Sequence, residues 1–343
     1  MPTERSRPSV AVVGCGHWGK NLIRNFYQLG NLTGLFDADP ARLDSFASQH
    51  PKLKKYRDWT EILEDAELDA VAISTPAETH YKLGLAALRA GKDVFVEKPL
   101  ALTPDEGRFM VEAAREGKRI LMVGHLLLYH PAVLTMQQLL ESGELGSLEY
   151  IYSNRVSLGK IRREENALWS FAPHDISVIL NLLGQLPIQV TAVGGAYLQP
   201  NIADVTISNL LFDRGTRAHI FVSWLHPYKE QRLVVIGSKK MLVFEDSRAT
   251  DKLLLFDKQI VLSNGVFEVT QPTGTPVAFA SGEPLRLECE HFLTCIERRQ
   301  QPRTSGESGV DVLRVLQACQ RSLQLNGEPV QVDAMFAKAV AVL

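Results

Sequence analysis

The chain has 343 residues, 45% of them hydrophobic, and a formal net charge of -2. That length allows two domains with real cores, and the charge balance leaves no footprint for nucleic acid or a membrane surface. The polar N-terminus and the short first apolar run, Val10 to Val13, do not make a signal peptide, and no apolar run reaches spanning length.

Ser9 to Val13 reads as a buried strand, followed at once by Gly14-Cys15-Gly16-His17-Trp18-Gly19. This is GxGxxG in its required setting, because Lys20 to Leu29 then reads as a helix closing at Gly30. Such glycines allow a tight turn, approach of a pyrophosphate to backbone N–H groups, and close helix packing. A second strand, Leu32 to Phe36, ends at Asp37. A carboxylate there accepts hydrogen bonds from the ribose hydroxyls and repels a 2′-phosphate, so NAD is expected over NADP.

Pro40 to Ser48 reads as a helix, Tyr56 to Trp59 as a short strand or loop, and Thr60 to Asp65 as a helix with Thr60 at its N-cap. A strand Ala70 to Ser74 runs into Ser74-Thr75-Pro76, and a helix Thr79 to Ala90 ends at Gly91. The strand Val94 to Val96 then stops at Glu97-Lys98-Pro99, where proline forbids continuation. A helix Pro104 to Glu116, between Thr103 and Gly117, and a strand Ile120 to Val123 complete an alternation that signals a doubly wound parallel sheet. Ligands in such sheets sit beyond the carboxyl ends of the strands. Asp37, Ser74 to Pro76, Glu97-Lys98 and Gly124-His125 would share that rim. An isolated Glu-Lys-Pro is an ordinary charged corner. On such a rim, Lys98 is suited to proton transfer with a substrate oxygen.

In the second half, His130 to Ser142 reads as a helix entered through Pro131, and Leu148 to Ser157 as a strand. Arg155, Lys160, Arg162 and Arg163 read singly as a solvated loop, and as a group they suit diphosphate or carboxylate oxygens. Pro173 fits the first turn of a helix running to Leu183 and stopped by Gly184. That places His174 at a helix N-terminus, where the dipole keeps the ring neutral. The residues alone leave His174 equally readable as a general base or as a structural histidine.

Val190 to Ala196, Ala203 to Phe212, Thr216 to Leu225, Arg232 to Ile236, Lys240 to Glu245 and Lys252 to Phe256 read as successive strands. His219 and Trp224 belong to that sheet. Pro284 to Arg298 and Gly309 to Leu325 read as amphipathic helices packed on the same domain. Cys15, Cys289, Cys295 and Cys319 are scattered, without a CxxC pair or clustered histidines. No metal site or disulfide framework is expected, and free thiols in a reducing cytoplasm are the plain reading.

Gly14 to Gly19, the run Ala72-Ile73-Ser74-Thr75-Pro76 with His80 after it, and Ala90-Gly91-Lys92 leading to Glu97-Lys98-Pro99-Leu100 resemble the Gfo/Idh/MocA oxidoreductases. The resemblance runs over nearly the whole chain. It implies an NAD-binding Rossmann domain over residues 1–124, with Gly14, Gly16, His17, Trp18, Gly19, Asp37, Ser74, Thr75, Pro76, His80, Glu97 and Lys98 toward the cofactor. It implies an α+β domain over 125–343, built on a large open antiparallel sheet that binds substrate and mediates a homo-oligomer, dimer or tetramer. Lys98 would touch both nicotinamide and the substrate hydroxyl, and His174 would be the base. The family usually has an aspartate four residues before that histidine, where this chain has Ser170. It often has an arginine before the Tyr-His pair, where this chain has Leu128.

The implied reaction is hydride transfer from a sugar secondary alcohol, with His125 and Tyr129 lining the sugar site. Leu158 to Asp175 is most similar to the nucleotide-sugar 3-dehydrogenases, which oxidise UDP-N-acetylglucosaminuronate at C3 for surface polysaccharides. Arg155, Lys160 and Arg163 would then meet the UDP or the uronate. Two alternatives share the fold: a glycoside hydrolase that recycles bound NAD, and a dinucleotide-binding regulator without catalysis.

Overall fold

The computed structural model describes residues 7–257, 259–270 and 272–332. Its contacts divide the chain into two compact units, Met1–Tyr129 with Gly282–Leu313, and His130–Ser281 with Arg314–Leu343.

The first unit opens with β1 (Val10–Val13), α1 (Gly19–Leu29), β2 (Leu32–Phe36), α2 (Pro40–Gln49) and β3 (Lys54–Lys55). It continues with α3 (Trp59–Glu64), β4 (Ala70–Ile73), α4 (His80–Arg89), β5 (Asp93–Glu97), α5 (Pro104–Gly117) and β6 (Leu121–Gly124). The six strands pair in parallel in the order β3-β2-β1-β4-β5-β6. β1, β4, β5 and β6 are buried along their whole length, as expected of strands covered on both faces. The strand order reverses beside β1, which makes the crevice between β1 and β4 the natural ligand position. Local capping explains where helices begin. Asp58, not Thr60, caps α3 by accepting from Glu61 N at 3.0 Å, and Thr103 forms a capping box with Glu106 at α5.

The second unit holds α6 (Pro131–Glu141), β7 (Leu148–Leu158), α7 (Ala167–Leu183), β8 (Gln189–Gly195), β9 (Val205–Leu211) and β10 (Arg217–Ser223). β11 (Leu225–Gly237), β12 (Lys240–Glu245), β13 (Leu253–Asp257), β14 (Gln259–Ser263), β15 (Val266–Thr270) and β16 (Thr275–Pro276) follow. A nine-stranded sheet runs β16-β13-β12-β11-β7-β10-β9-β8-β17, where β17 is Val330–Gln331. It is mixed rather than wholly antiparallel, because β7 and β10 pair in parallel. The long connection through α7 makes that pairing possible, since a tight turn cannot join parallel neighbours. The hairpin of β14 and β15 turns at Asn264-Gly265 as a separate sheet, which the strand pattern did not announce. His219 lies in β10 as expected and stacks on Tyr152 at 5.2 Å, whereas Trp224 falls at the bend between β10 and β11, buried and donating to Asp204 Oδ1 at 2.5 Å.

α8 (Pro284–Arg298) follows the second unit in sequence but belongs to the first. Its Phe292 packs edge-on against Phe26 of α1 (6.4 Å) and Phe95 of β5 (5.8 Å). That aromatic cluster pulls residues 282–313 back onto the Rossmann sheet, whereas chain order places them with the second half. α9 (Gly306–Gln324) contains the division between the units. Among the described residues, no helix is long and apolar enough to cross a membrane.

Candidate active site

The rim of the first unit begins where β1 ends. Gly14 turns the chain at φ +93°, a conformation that favours glycine. A Cβ on Gly19 would stand 1.8 Å from Gly14 O, so only glycine lets α1 start this close to the turn. A Cβ on Gly16 would meet nothing within 4 Å, so the backbone there faces open space. His17 and Trp18 are exposed beside it. Ser74, at the end of β4, donates its hydroxyl to Gly14 O at 2.8 Å and holds the loop from beneath.

Asp37, at the end of β2, is buried and already hydrogen-bonded. It accepts from Cys15 N at 2.7 Å and Asp39 N at 2.8 Å, and the Arg42 guanidinium reaches it at 3.3 Å. Arg42 was not singled out from sequence. A basic side chain on the first turn after the acidic residue was the available signal. Pro76 is exposed, and Thr75 Oγ1 lies 2.6 Å from Thr79 Oγ1. His80 is buried, with Nδ1 2.7 Å from Pro99 O and Nε2 2.9 Å from Thr75 O. Its ring therefore joins the β4 and β5 rim loops instead of facing outward. Burial holds its pKa below the ordinary histidine value.

β5 delivers Glu97 and Lys98 to the same rim. The Glu97 carboxylate accepts from the indole N–H of Trp18 and from Lys98 N at 3.3 Å. It lies against Gly124 of β6, where a Cβ would come within 2.9 Å of it. Burial raises its pKa to about 7, although Trp18 and the Lys98 charge pull it down. The Lys98 side chain is half-buried and its charge reaches Glu97, His80 and His125. The Lys98–Pro99 peptide is cis.

His125 and Tyr129 do not present a surface to a sugar in this structure. His125 is 1% exposed, neither ring nitrogen has a partner, and burial with the Lys98 charge lowers its pKa to about 3. Tyr129 is buried with its hydroxyl 3.0 Å from Thr304 Oγ1 and its ring beneath the Arg303 guanidinium at 5.2 Å. Both are packed inside because the segment after β6 turns inward under α8.

In the second unit, α7 starts six residues before Pro173, not at it. Asn166 caps it by accepting from Trp169 N at 3.2 Å, and Pro173 lies inside the helix. His174 is consequently mid-helix, beyond the first turn, and the dipole argument for a neutral ring does not apply. Ser170 sits one turn earlier and is buried. Asp175 is 2% exposed, takes two bonds from Arg155 (2.7 and 3.1 Å) and accepts from Ser153 Oγ at 2.6 Å. That pair pins α7 to β7 and commits Arg155 internally, whereas the sequence suggested a substrate contact. Lys160 and Arg163 lie exposed on the loop between β7 and α7, and Arg162 pairs with Glu165 at 3.0 Å.

Residues 9–125 match the family described as "Oxidoreductase family, NAD-binding Rossmann fold", and residues 133–243 match the "GFO/IDH/MocA C-terminal domain". The chain belongs to the Gfo/Idh/MocA oxidoreductases. Among its relatives in that family is the UDP-N-acetylglucosamine 3-dehydrogenase of Acidithiobacillus ferrooxidans, 27% identical over 88% of this chain and 93% of that protein. The solved structure of that enzyme superposes with a TM-score of 0.82 over 93% of this chain and 98% of its own, at 24% identity. The scyllo-inositol 2-dehydrogenase of Bacillus subtilis is 27% identical over 95% of this chain and 97% of that enzyme. A crystal structure from Magnetospirillum magnetotacticum, of a protein described as an oxidoreductase, is 32% identical with a TM-score of 0.79, covering 92% and 100%.

The family's nicotinamide dinucleotide fits the rim. Open space over Gly16, the tight Gly14–Gly19 turn and a carboxylate at the end of β2 are the donor and acceptor set that a pyrophosphate and a ribose require. Among the described residues, no group of three or more His, Cys, Asp or Glu side chains is placed to hold a metal ion.

Proposed function

We propose that this protein is an NAD-dependent dehydrogenase that oxidises a secondary alcohol at C3 of a nucleotide sugar, such as UDP-N-acetylglucosaminuronate, as a step toward surface polysaccharides. The observation that carries the reading is the placement of Lys98 at the carboxyl end of β5, tied through Glu97 and Trp18 to the glycine loop. The bound dinucleotide supplies the hydride acceptor. Lys98 donates to the substrate oxygen and stabilises charge there, and His174 takes the hydroxyl proton. Gly14, Gly16, Gly19 and Ser74 shape the pyrophosphate site, with His17 and Trp18 beside it. Asp37 favours NAD by occupying the place of a 2′-phosphate. Exposed Lys160 and Arg163 suit an anionic substrate better than a neutral polyol, which separates this reading from an inositol dehydrogenase. We further propose a cytoplasmic homo-oligomer that buries the sheet residues Tyr150, Val193 and Ile207, all exposed in the single chain.

The test is NADH formation with UDP-N-acetylglucosaminuronate, UDP-N-acetylglucosamine and myo-inositol, for wild type and Lys98→Ala. Turnover on the uronate, reduced ~10²–10⁴-fold in the variant while NAD binding is kept, supports the reading. Turnover on inositol alone discards the nucleotide sugar. Retained NAD without NADH release, together with glycoside cleavage, establishes the recycling hydrolase instead. NAD binding without turnover of any sugar leaves a regulator.

A further inference from the structure

Glu288 is a fully buried acid that the proposed chemistry does not use. It is 0% exposed and neither carboxyl oxygen has a hydrogen-bond partner. Its location follows from register. Phe95 and Phe292 pack against each other at 5.8 Å. Glu97 is two residues beyond Phe95 on β5, so it leaves the strand on the same face. Glu288 is four residues before Phe292 on α8, so it lies on the same face of the helix. Both carboxyls are buried and the Glu97 charge acts on Glu288, so the two share one dry space beside the aromatic contact.

Two carboxylates there cannot both ionise, because each charge would be desolvated and would repel the other. Hydrogen bonding breaks the tie. Glu97 has the Trp18 indole N–H and Lys98 N as donors, and Glu288 has none. The charge count agrees, since one ammonium, Lys98, balances one carboxylate. Burial and the Glu97 charge push Glu288 well above the ordinary carboxylic range. The other titratable or charged groups facing the pair are His125 and Tyr129 after β6, Arg303 over Tyr129, and Cys289 on α8. On α1, Arg24 is paired with Glu283.

We propose that Glu97 and Glu288 form a one-proton carboxyl pair, with the charge on Glu97 and the proton on Glu288. Glu288 is then a positioning residue that acts through Glu97, whose single charge faces Lys98. The role in turnover rests on the reading of Lys98 given above; the proton count does not.

The count is read from unfolding equilibria across pH, without substrate. A proton retained only by the folded state costs a factor of about ten in the folding equilibrium per pH unit. Relative to wild type, Glu288→Gln is expected to gain about tenfold per pH unit above the ordinary carboxylic range, and to go on gaining past the point where Glu97 ionises. Glu97→Gln is expected to gain only up to about pH 7 and then run parallel to wild type. A flat Glu288→Gln difference, or the two patterns exchanged, overturns the proposal. Wild-type protein at pH 8 supplies a second readout that needs no variant: an infrared C=O band of a protonated carboxyl supports the pair, and its absence overturns it. In turnover, the acid limb of kcat/KM is expected to persist in Glu288→Gln and to vanish in Glu97→Gln; loss in both overturns the assignment of the charge to Glu97. Absence of turnover on every sugar defeats the dehydrogenase reading, while the stability data still decide the pair.

Discussion

The indole N–H of Trp18 donates to the carboxylate of Glu97, joining the loop that receives a dinucleotide to the residue that precedes Lys98. The two residues are far apart in sequence and carried by different strand–loop junctions. Cofactor seating and lysine placement thereby become one structural problem.

Trp18→Phe tests that link through pH. The folded Glu97 pKa, about 7, is above that of an unfolded glutamate, so the folded state holds an extra proton in between. The Glu97 contribution to stability therefore falls as pH rises through that window and levels off once Glu97 ionises. Removing the indole donor raises the folded pKa further and extends the fall. At pH 5 the variant should lose only packing. At pH 8, one unit above the folded Glu97 pKa, it should lose up to about 1.4 kcal/mol more. Urea titrations at the two pH values check this, and equal losses at both would break the link.

The glycine loop separates folding from binding. Gly19→Ala should destabilise the protein by ~1–3 kcal/mol, since its Cβ would overlap Gly14 O. Gly16→Ala meets no protein atom and should leave the thermal midpoint near wild type. It should still weaken NAD binding by at least about tenfold, because the new methyl occupies the approach to the backbone N–H groups. Calorimetry on both variants reads the contrast directly.

Asp37→Ala should move cofactor preference. The substitution removes the carboxylate that would repel a 2′-phosphate and releases Arg42, now bonded to both of its oxygens. The ratio of kcat/KM for NADP over NAD should rise at least about tenfold. An unchanged ratio would mean that Asp37 serves only Cys15, Asp39 and Arg42.

Asp175 carries the placement of α7. Asp175→Ala leaves the Arg155 guanidinium buried without its counter-ion and should cost ~3–5 kcal/mol in urea unfolding. Replacing both residues by leucine should cost less than either single loss, as is usual when a buried pair is removed together. If the double variant costs the sum of the singles, the pair is not acting as a unit.

Much of this protein was legible along the chain. GxGxxG after a buried strand, Asp37 at the end of the next strand and Glu97-Lys98-Pro99 are local signals, since each depends on turn sterics or strand periodicity within a few residues. The Rossmann sheet and the rim that carries those motifs follow from them. Other features required residues distant in sequence to meet. The start of α7 depended on which of two capping arrangements prevailed, and Asn166 prevailed over Pro173, moving His174 to mid-helix. Arg155 looked like a substrate ligand until β7 and α7 brought Asp175 against it. Glu288 lies in a segment that reads only as an amphipathic helix, and it is a buried acid because Phe292 turns that helix onto Phe95. Periodicity reveals that a face is apolar, and burial depends on which partner covers it. Only the tertiary structure names the partner.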